Sequence, residues 1–169
     1  LIEQSYASGN VTVGDDSMFV GGLIGAGYPF RSRGACFNPY PGQVRWVDDA
    51  FASGSVTVGD QAIGVGGLIG HLTVTNHHPF IGLERTYARG NVTTRGRAKD
   101  VGGFIGHFDF HRYGRGSFNS GSEVWLTAQD SYWDVQASGR QRSAVSVAIP
   151  HLEYGENFNR TFRANHPHL

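Results

Sequence analysis

The sequence is poor in the residue types that mark several common protein classes. Its single cysteine, Cys36, cannot form an intramolecular disulfide and is interpreted as an inert thiol. No apolar run approaches the roughly 20 residues of a membrane-spanning helix. Fourteen basic residues balance fourteen acidic ones, so charge does not favour binding to nucleic acid or to an anionic membrane. The composition therefore argues against a disulfide scaffold, a membrane-inserted protein and a nucleic-acid-binding protein.

Helical periodicity is also missing. No window of a dozen residues carries apolar side chains at helix spacing, because glycine and β-branched residues recur too often. Glycine is instead abundant, at 25 of 169 residues, without the every-third-residue spacing of collagen. A chain of this length fits one domain with a core of its own. The sequence predicts an all-β domain with many tight turns.

A six-residue segment, called here the glycine phrase, occurs three times. It reads Val-Gly-Gly-Leu-Ile-Gly at 20–25 and at 65–70, and Val-Gly-Gly-Phe-Ile-Gly at 101–106. The residues predicted to have a structural role in the repeat are Gly21, Gly22, Leu23, Gly25, Gly66, Gly67, Leu68, Gly70, Gly102, Gly103, Phe104 and Gly106. Repeats with periods of a few tens of residues are typical of stacked architectures.

A second phrase accompanies the first, at 5–12, 50–57 and 86–93. Its glycine precedes the glycine phrase by 11 residues in all three repeats, as Gly9 precedes Val20. The equivalent aromatic residues lie 45, 36 and 45 residues apart, at Tyr6, Phe51, Tyr87 and Tyr132. The repeats therefore differ in length only in the segment after the glycine phrase. This is expected if the extra residues form loops along one edge of a solenoid.

The repeats predict a parallel β-solenoid of about three to four coils, with three short strands per coil and long loops on one edge. The first strand, at 7–13, turns small residues inward by two-residue alternation. The second is the glycine phrase, in which the adjacent Leu23 and Ile24 are expected to point to opposite faces. The units lie near 5–49, 50–85 and 86–130, with a partial unit at 131–138. Residues 139–169 form a C-terminal cap or tail, in which alternation at Val145 and Val147 predicts one more strand.

The third strand precedes each aromatic residue and places acidic residues in a column. Alignment on the aromatics stacks Ile2, Val47, Leu83 and Ala128, and beside them Glu3, Asp48, Glu84 and Gln129. Like charges about 4.8 Å apart repel one another. Carboxylates directed into solvent, a neighbouring Arg45 or Arg85, or a calcium ion would each relieve that repulsion. Glu3, Asp48 and Glu84 are therefore weak candidates for a calcium site, and no other cofactor is expected.

The inserts at 26–42, 71–80 and 107–122 carry the aromatic, arginine and histidine residues expected of a binding surface. The candidate binding residues are Tyr28, Phe30, Arg31, Tyr40, His77, His78, His111, Arg112 and Tyr113. The alternative is that these inserts cover the outer face of the glycine phrase. His71 and His107 occupy equivalent positions, so they are expected to stack and are able to share an ion, although uncommitted loop histidines are the simpler interpretation.

Evidence for catalysis is weak. The sequence contains no nucleophile elbow, phosphate-binding loop or zinc signature. Paired carboxylates occur at 15–16 and 48–49, but both pairs lie in turns or at strand edges. We therefore expect the chain not to be an enzyme.

Together the phrases resemble the bacterial GLUG repeat, named after its glycine-leucine-apolar-glycine core. The likeness rests on Gly-Leu-Ile-Gly at 22–25 and 67–70, Gly-Phe-Ile-Gly at 103–106, the Ser-Tyr-Ala phrase at 5–11, and Ser-Tyr-Trp-Asp at 131–134 with Ser138-Gly139. It covers residues 1–144 approximately. The resemblance implies a right-handed parallel β-helix outside a prokaryotic cell, as in secreted adhesins and filamentous-haemagglutinin-like proteins, with no catalytic residue to carry over.

The leading functional expectation is a structural or adhesive extracellular module that associates with itself head to tail or with other surface proteins. Leu1 and Ile2 begin within a strand pattern and form the candidate assembly edge, which also suggests an excerpt of a longer chain. The first alternative is a glycan- or receptor-binding domain that uses the insert loops. The second is a β-helix carbohydrate-active enzyme.

Overall fold

The computed structural model describes residues 1–28, 44–75, 80–111, 125–134 and 145–147. In these ranges every regular element is a strand, and nothing there is a helix of the length and apolarity needed to cross a membrane. The first repeat contributes β1 Ile2–Glu3, β2 Tyr6–Ala7, β3 Val11–Thr12, β4 Met18–Gly21 and β5 Ile24–Gly27. The second contributes β6 Val44–Ala52, β7 Val56–Val58, β8 Ile63–Gly66 and β9 Ile69–Thr75. The third contributes β10 Phe80–Ala88, β11 Val92–Thr94, β12 Lys99–Gly102 and β13 Ile105–His111, followed by β14 Trp125–Gln129, β15 Tyr132–Trp133 and β16 Val145–Val147.

Equivalent strands of successive repeats pair in parallel and build four sheets. Sheet A has the order β1-β6-β10-β14, with β2 and β15 paired to β6 and β10. Sheet B has the order β3-β7-β11, sheet C β4-β8-β12 and sheet D β5-β9-β13-β16. The predicted all-β class with stacked parallel strands is confirmed, and the arrangement is consistent with a β-solenoid of three to four layers.

The registers predicted from the repeat are also confirmed. Ile2 pairs with Val47, Val47 with Leu83, and Leu83 with Ala128. The equivalent aromatic rings stack on one another, with centroid separations of 5.2 Å for Tyr6 and Phe51, 4.7 Å for Phe51 and Tyr87, and 5.2 Å for Tyr87 and Tyr132. The further strand expected around residue 145 is present as β16 and pairs with β13.

The structure differs from the prediction of three strands per repeat, because the second and third repeats each have four and the first has five, its sheet A strand being divided into β1 and β2. The predicted strand at 7–13 is divided between sheets A and B, and its equivalent in the second repeat bends at Ser53-Gly54-Ser55. Alternation nevertheless continues through the bend, since Ala52, Gly54, Val56 and Val58 are all buried.

The glycine phrase is a corner between sheets C and D, and the prediction that it forms a single strand is wrong, since β8 ends at Gly66 and β9 begins at Ile69. In the second repeat, Leu68 and Ile69 are both fully buried in one core cluster. Glycine allows the turn because a Cβ at Gly67 would overlap the carbonyl oxygen of Gly103 and lie 3.1 Å from the Cβ of Ala88. That the inserts cover an outer face of the phrase stays a prediction, because most insert residues lie outside the described ranges.

The core lies in two clusters between facing sheets. The larger cluster joins sheet A, through Val47 and Leu83, to the corner and sheet D, through Leu68, Leu72 and Phe108. The smaller cluster joins sheets B and C and consists of Val20, Val56, Val58, Ala62, Val65 and Val92. Because both clusters cross between layers, each repeat depends on its neighbours for burial.

Candidate functional site

The first repeat forms one open end of the stack. Its strands lie at an edge of each sheet, with β1 and β2 in sheet A and β3, β4 and β5 in sheets B, C and D. In the described part of the chain, the large hydrophobic side chains that are exposed all belong to this repeat: Leu1 at 71 %, Tyr6 at 68 %, Met18 at 59 % and Tyr28 at 50 %. This end therefore presents apolar surface beside strand edges that are hydrogen-bonded on one side only within the described ranges.

Core positions of the first repeat are less buried than the same positions in the next repeat. Val47, Val56, Leu68 and Ile69 are fully buried. Their first-repeat equivalents, Ile2, Val11, Leu23 and Ile24, are only half-buried. The core is thus incomplete at this end, and another layer of strands would complete it.

At the turn before sheet C, the first repeat is acidic and the third repeat is basic. Asp16, Gln61 and Arg97 occupy the same turn position, each two residues before the paired column Met18, Ile63 and Lys99. Asp15 and Asp16 are exposed at the first-repeat end. Arg95, Arg97 and Lys99 are exposed in the third repeat, where β11 and β12 are the last strands described in sheets B and C, while sheets A and D continue into β14, β15 and β16.

Arg85 bridges three carboxylates on sheet A, two of which belong to the acidic column. The column has the predicted register, since Glu3 pairs with Asp48 and Asp48 with Glu84. The Arg85 guanidinium donates to Asp48 Oδ1 at 2.6 Å, to Asp49 Oδ1 at 2.6 Å and to Glu84 Oε1 at 2.7 Å. Its hydrogen bond holds the pKa of Asp49 below the usual value. The chain therefore supplies a cation of its own at Asp48 and Glu84, and the calcium hypothesis stays a prediction.

The candidate binding residues of the inserts fall mostly outside the described residues. These are Phe30, Arg31, Tyr40, His77, His78, Arg112 and Tyr113. His111 ends β13, where it pairs with Thr75 of β9. Tyr28 is half-exposed, and its ring meets the His71 ring edge-on with centroids 5.8 Å apart.

Sheet D brings together a cluster of two histidines and an aspartate. His71 of β9 pairs with His107 of β13, as the repeat predicted, and their ring centroids are 4.9 Å apart. Two residues further along the same strands, Thr73 pairs with Asp109 and lies on the same face. One potential ligand atom each from His71, His107 and Asp109 lies within 4.8 Å of the other two.

Hydrogen bonds orient both imidazole rings. His107 Nδ1 lies 2.9 Å from Asp100 Oδ2, and His71 Nε2 lies 3.1 Å from Thr73 Oγ1. His71 is only 5 % exposed, and among the described residues nothing hydrogen-bonds to its Nδ1. Burial, followed by repulsion from His107, lowers the pKa of His71 and favours its neutral form.

A column of left-handed backbone in sheet C places two further side chains beside this cluster. Phe19, Gly64 and Asp100 occupy equivalent positions with φ values of 58°, 70° and 52°. The Phe19 ring stacks on His71 with centroids 4.2 Å apart, while Asp100 contacts His107. Gly64 leaves room between them, since a Cβ there would lie 2.9 Å from the Phe19 ring and 3.4 Å from the Cβ of His107.

Sequence reasoning paired the two histidines but missed Phe19, Thr73, Asp100 and Asp109. The 36-residue offset that aligns His71 with His107 also aligns Thr73 with Asp109, so two-residue alternation was a usable signal. The contribution of Phe19 and Asp100 carried no such signal, because it depends on backbone with positive φ.

Comparison of the chain with protein-family models, with curated proteins and with solved structures finds no match. The resemblance to GLUG repeats rests on the sequence motifs alone, and the geometry described above is the basis for a functional proposal.

Proposed function

We propose that the chain is a non-catalytic structural module, a right-handed parallel β-solenoid of the GLUG-repeat type, which associates with itself head to tail on the outside of a prokaryotic cell. The observation that supports this proposal is the first-repeat end. It combines an incomplete core and open strand edges with an acidic turn whose counterpart at the other end is basic. Such an end matches a second copy of the chain.

Strand addition explains how two copies would join. A parallel layer placed on β3 and β4 would extend sheets B and C by the same hydrogen-bonding pattern that joins the repeats within one chain. It would also cover half-buried side chains such as Val11 and Leu23, which the next repeat covers on one side only. Because the contact joins two different ends, it repeats without closing and produces a filament.

Charge favours head-to-tail contact over contact between identical ends. In a head-to-tail stack, Arg97 of one copy lies in the same turn column as Asp16 of the next. Contact between two first-repeat ends would instead bring two acidic turns, each with Asp15 and Asp16, into one interface. Like charges across an interface are costly, so the ends are polarised for one direction of growth.

Charge reversal tests the proposal. We expect the wild-type chain to form concentration-dependent oligomers in sedimentation velocity and linear particles in electron microscopy. Asp16→Arg or Arg97→Asp alone replaces attraction with repulsion and should weaken association by about three- to tenfold, given the modest strength of exposed ion pairs. The double variant Asp16→Arg/Arg97→Asp restores opposite charges and should recover association.

The double variant is the internal control, because it contains both substitutions that separately impair assembly. Added salt should reduce the difference between the single variants and the wild type, since both turns are exposed. A wild-type chain that stays monomeric at high concentration would contradict the proposal. Equal association of the single and double variants would contradict it as well.

A further inference from the structure

We infer that His71, His107 and Asp109 form a binding site for one divalent transition-metal ion of the zinc class, located between the second and third repeats on sheet D. The three side chains come from the paired strands β9 and β13, and one potential ligand atom from each lies within 4.8 Å of the others. The inference goes beyond the structural role proposed above and does not depend on self-association.

The donor set selects the kind of metal. Two imidazole nitrogens and one carboxylate oxygen suit Zn(II), Co(II), Ni(II) and Cu(II). Calcium requires six to eight oxygen ligands and magnesium a near-octahedral oxygen shell, and a site with two histidines provides neither. Three protein ligands leave at least one coordination position for water or another small ligand.

The separations are close to those of a coordinated ion. Zinc bonds of about 2.0–2.2 Å place tetrahedral ligand atoms about 3.3–3.6 Å apart. Side chains whose ligand atoms already lie within 4.8 Å need only small rotamer adjustments to converge on one ion. Register fixes this proximity, because His71 and His107 are paired residues and Asp109 lies two residues beyond His107 on the same face.

The second partners of the two imidazoles match those of metal-bound histidines. A ligand histidine usually engages a carboxylate or another oxygen through its non-coordinating nitrogen, which fixes the ring for the metal. Asp100 engages Nδ1 of His107 and so leaves Nε2 available. Thr73 engages Nε2 of His71 and leaves the buried Nδ1, which has no hydrogen-bond partner among the described residues.

A buried polar atom without a partner is unfavourable, and a metal ion is one way to satisfy it. The electrostatic setting also suits a dication. The carboxylate of Asp100 lies 2.9 Å from His107 and that of Asp109 within 4.8 Å of both histidines, so both supply negative charge beside the site. Phe19, stacked on His71, shields that side of the cluster from water.

The site is specific to one pair of repeats. In the first repeat the column of His71 and His107 contains Ala26, which has no ligand atom in its side chain. An ion bound here would therefore connect β9 with β13 and hold the second and third repeats together. Metal binding should accordingly stabilise the folded chain, because a preformed site of this kind is absent from the unfolded chain.

Isothermal titration of the full chain, stripped of metal with a chelator, tests the site with Zn(II) as the probe. We expect saturable binding of one ion per chain, a higher melting temperature with Zn(II), and visible d–d absorption when Co(II) replaces it. His107→Ala and Asp109→Asn should each weaken binding about tenfold or more. Asp100→Asn, which alters only the partner of a ligand, should weaken it by about tenfold.

Asp15→Asn is the matched control, because it removes an exposed carboxylate remote from sheet D and should leave zinc affinity unchanged. Asp109→Asn keeps the size of the side chain, so its circular dichroism spectrum and metal-free melting temperature should match those of the wild type. Failure of the folded wild-type chain to take up Zn(II) would overturn the inference. Equal zinc affinity in the wild type and in the folded His107→Ala and Asp109→Asn variants would overturn it as well.

Discussion

At the scale of single residues, Arg85 shows how one side chain resolves a conflict that stacking creates. Repetition places Asp48 directly beside Glu84, and these acidic side chains are only 8 % and 15 % exposed. Arg85 binds both of them and Asp49 as well. Gln4, Asp49, Arg85 and Asp130 all have φ between 48° and 49°, so a left-handed turn recurs at this position in every layer.

Arg85→Gln should lower the melting temperature at pH 7 by about 2–4 °C, because it leaves the acidic column without its cation. Arg85 lowers the pKa of Asp49 in the folded state, chiefly by hydrogen bonding, so its contribution is present above the unfolded pKa near 3.8. It is lost as the pH falls through the lower folded value. The difference between variant and wild type should therefore shrink in thermal unfolding at pH 3.

Arg95→Gln, which changes an exposed arginine in a turn, is the comparison for that experiment. Its melting temperature should stay near that of the wild type at both pH values. Equal losses in the two arginine variants, or a loss at Arg85 that does not depend on pH, would contradict the assignment of Arg85 to the acidic column.

At the scale of strands and turns, the repeat predicted which residues pair but not where the strands bend. Pairing follows from equivalence along the chain, so the Val47 and Leu83 column and the contact between His71 and His107 could be predicted. A glycine pair such as Gly66-Gly67 allows a corner, but alternation assumes a continuous strand and does not show that the chain leaves one sheet for the next there. The Asp100 contact escaped prediction for a related reason, since positive φ redirects its side chain.

Gly67→Ala tests the corner. The added Cβ would overlap the carbonyl oxygen of Gly103 and press on Ala88, so the second and third repeats would have to separate locally. Overpacking of this kind should lower the free energy of unfolding by about 1–3 kcal/mol. Gly14→Ala is the control, because a Cβ there meets no atom within 4 Å, and urea titration should distinguish the two variants. Equal stabilities would refute the close approach of backbones at this corner.

At the scale of the whole molecule, the burial of the core depends on which layers have neighbours on both sides. A layer within the stack buries Val56 and Leu68 completely, whereas the first layer leaves Val11 and Leu23 half-buried. In stacked repeats much of the stabilising free energy comes from the interfaces between neighbouring repeats. The outer face of a terminal repeat therefore remains available to form one more interface of this kind. The proposed metal site would strengthen one interior interface, and self-association would complete the terminal one.

Gly9→Ala separates the stability of one molecule from its assembly. A Cβ at Gly54 would overlap the carbonyl oxygen of Gly9, and one at Gly90 would overlap that of Gly54, because each layer contacts the preceding layer at this position. A Cβ at Gly9 meets nothing within 4 Å in the single chain. The free energy of unfolding of the Gly9→Ala variant should therefore differ from that of the wild type by less than about 0.5 kcal/mol in dilute solution.

In a head-to-tail stack the Cβ of Ala at position 9 would meet the backbone of the preceding copy, so sedimentation velocity should show markedly weaker association of the Gly9→Ala variant. Ser8→Ala, at the neighbouring exposed position, should associate as the wild type does. If Gly9→Ala formed oligomers as readily as Ser8→Ala, the first-repeat end could not be the contact that continues the stack.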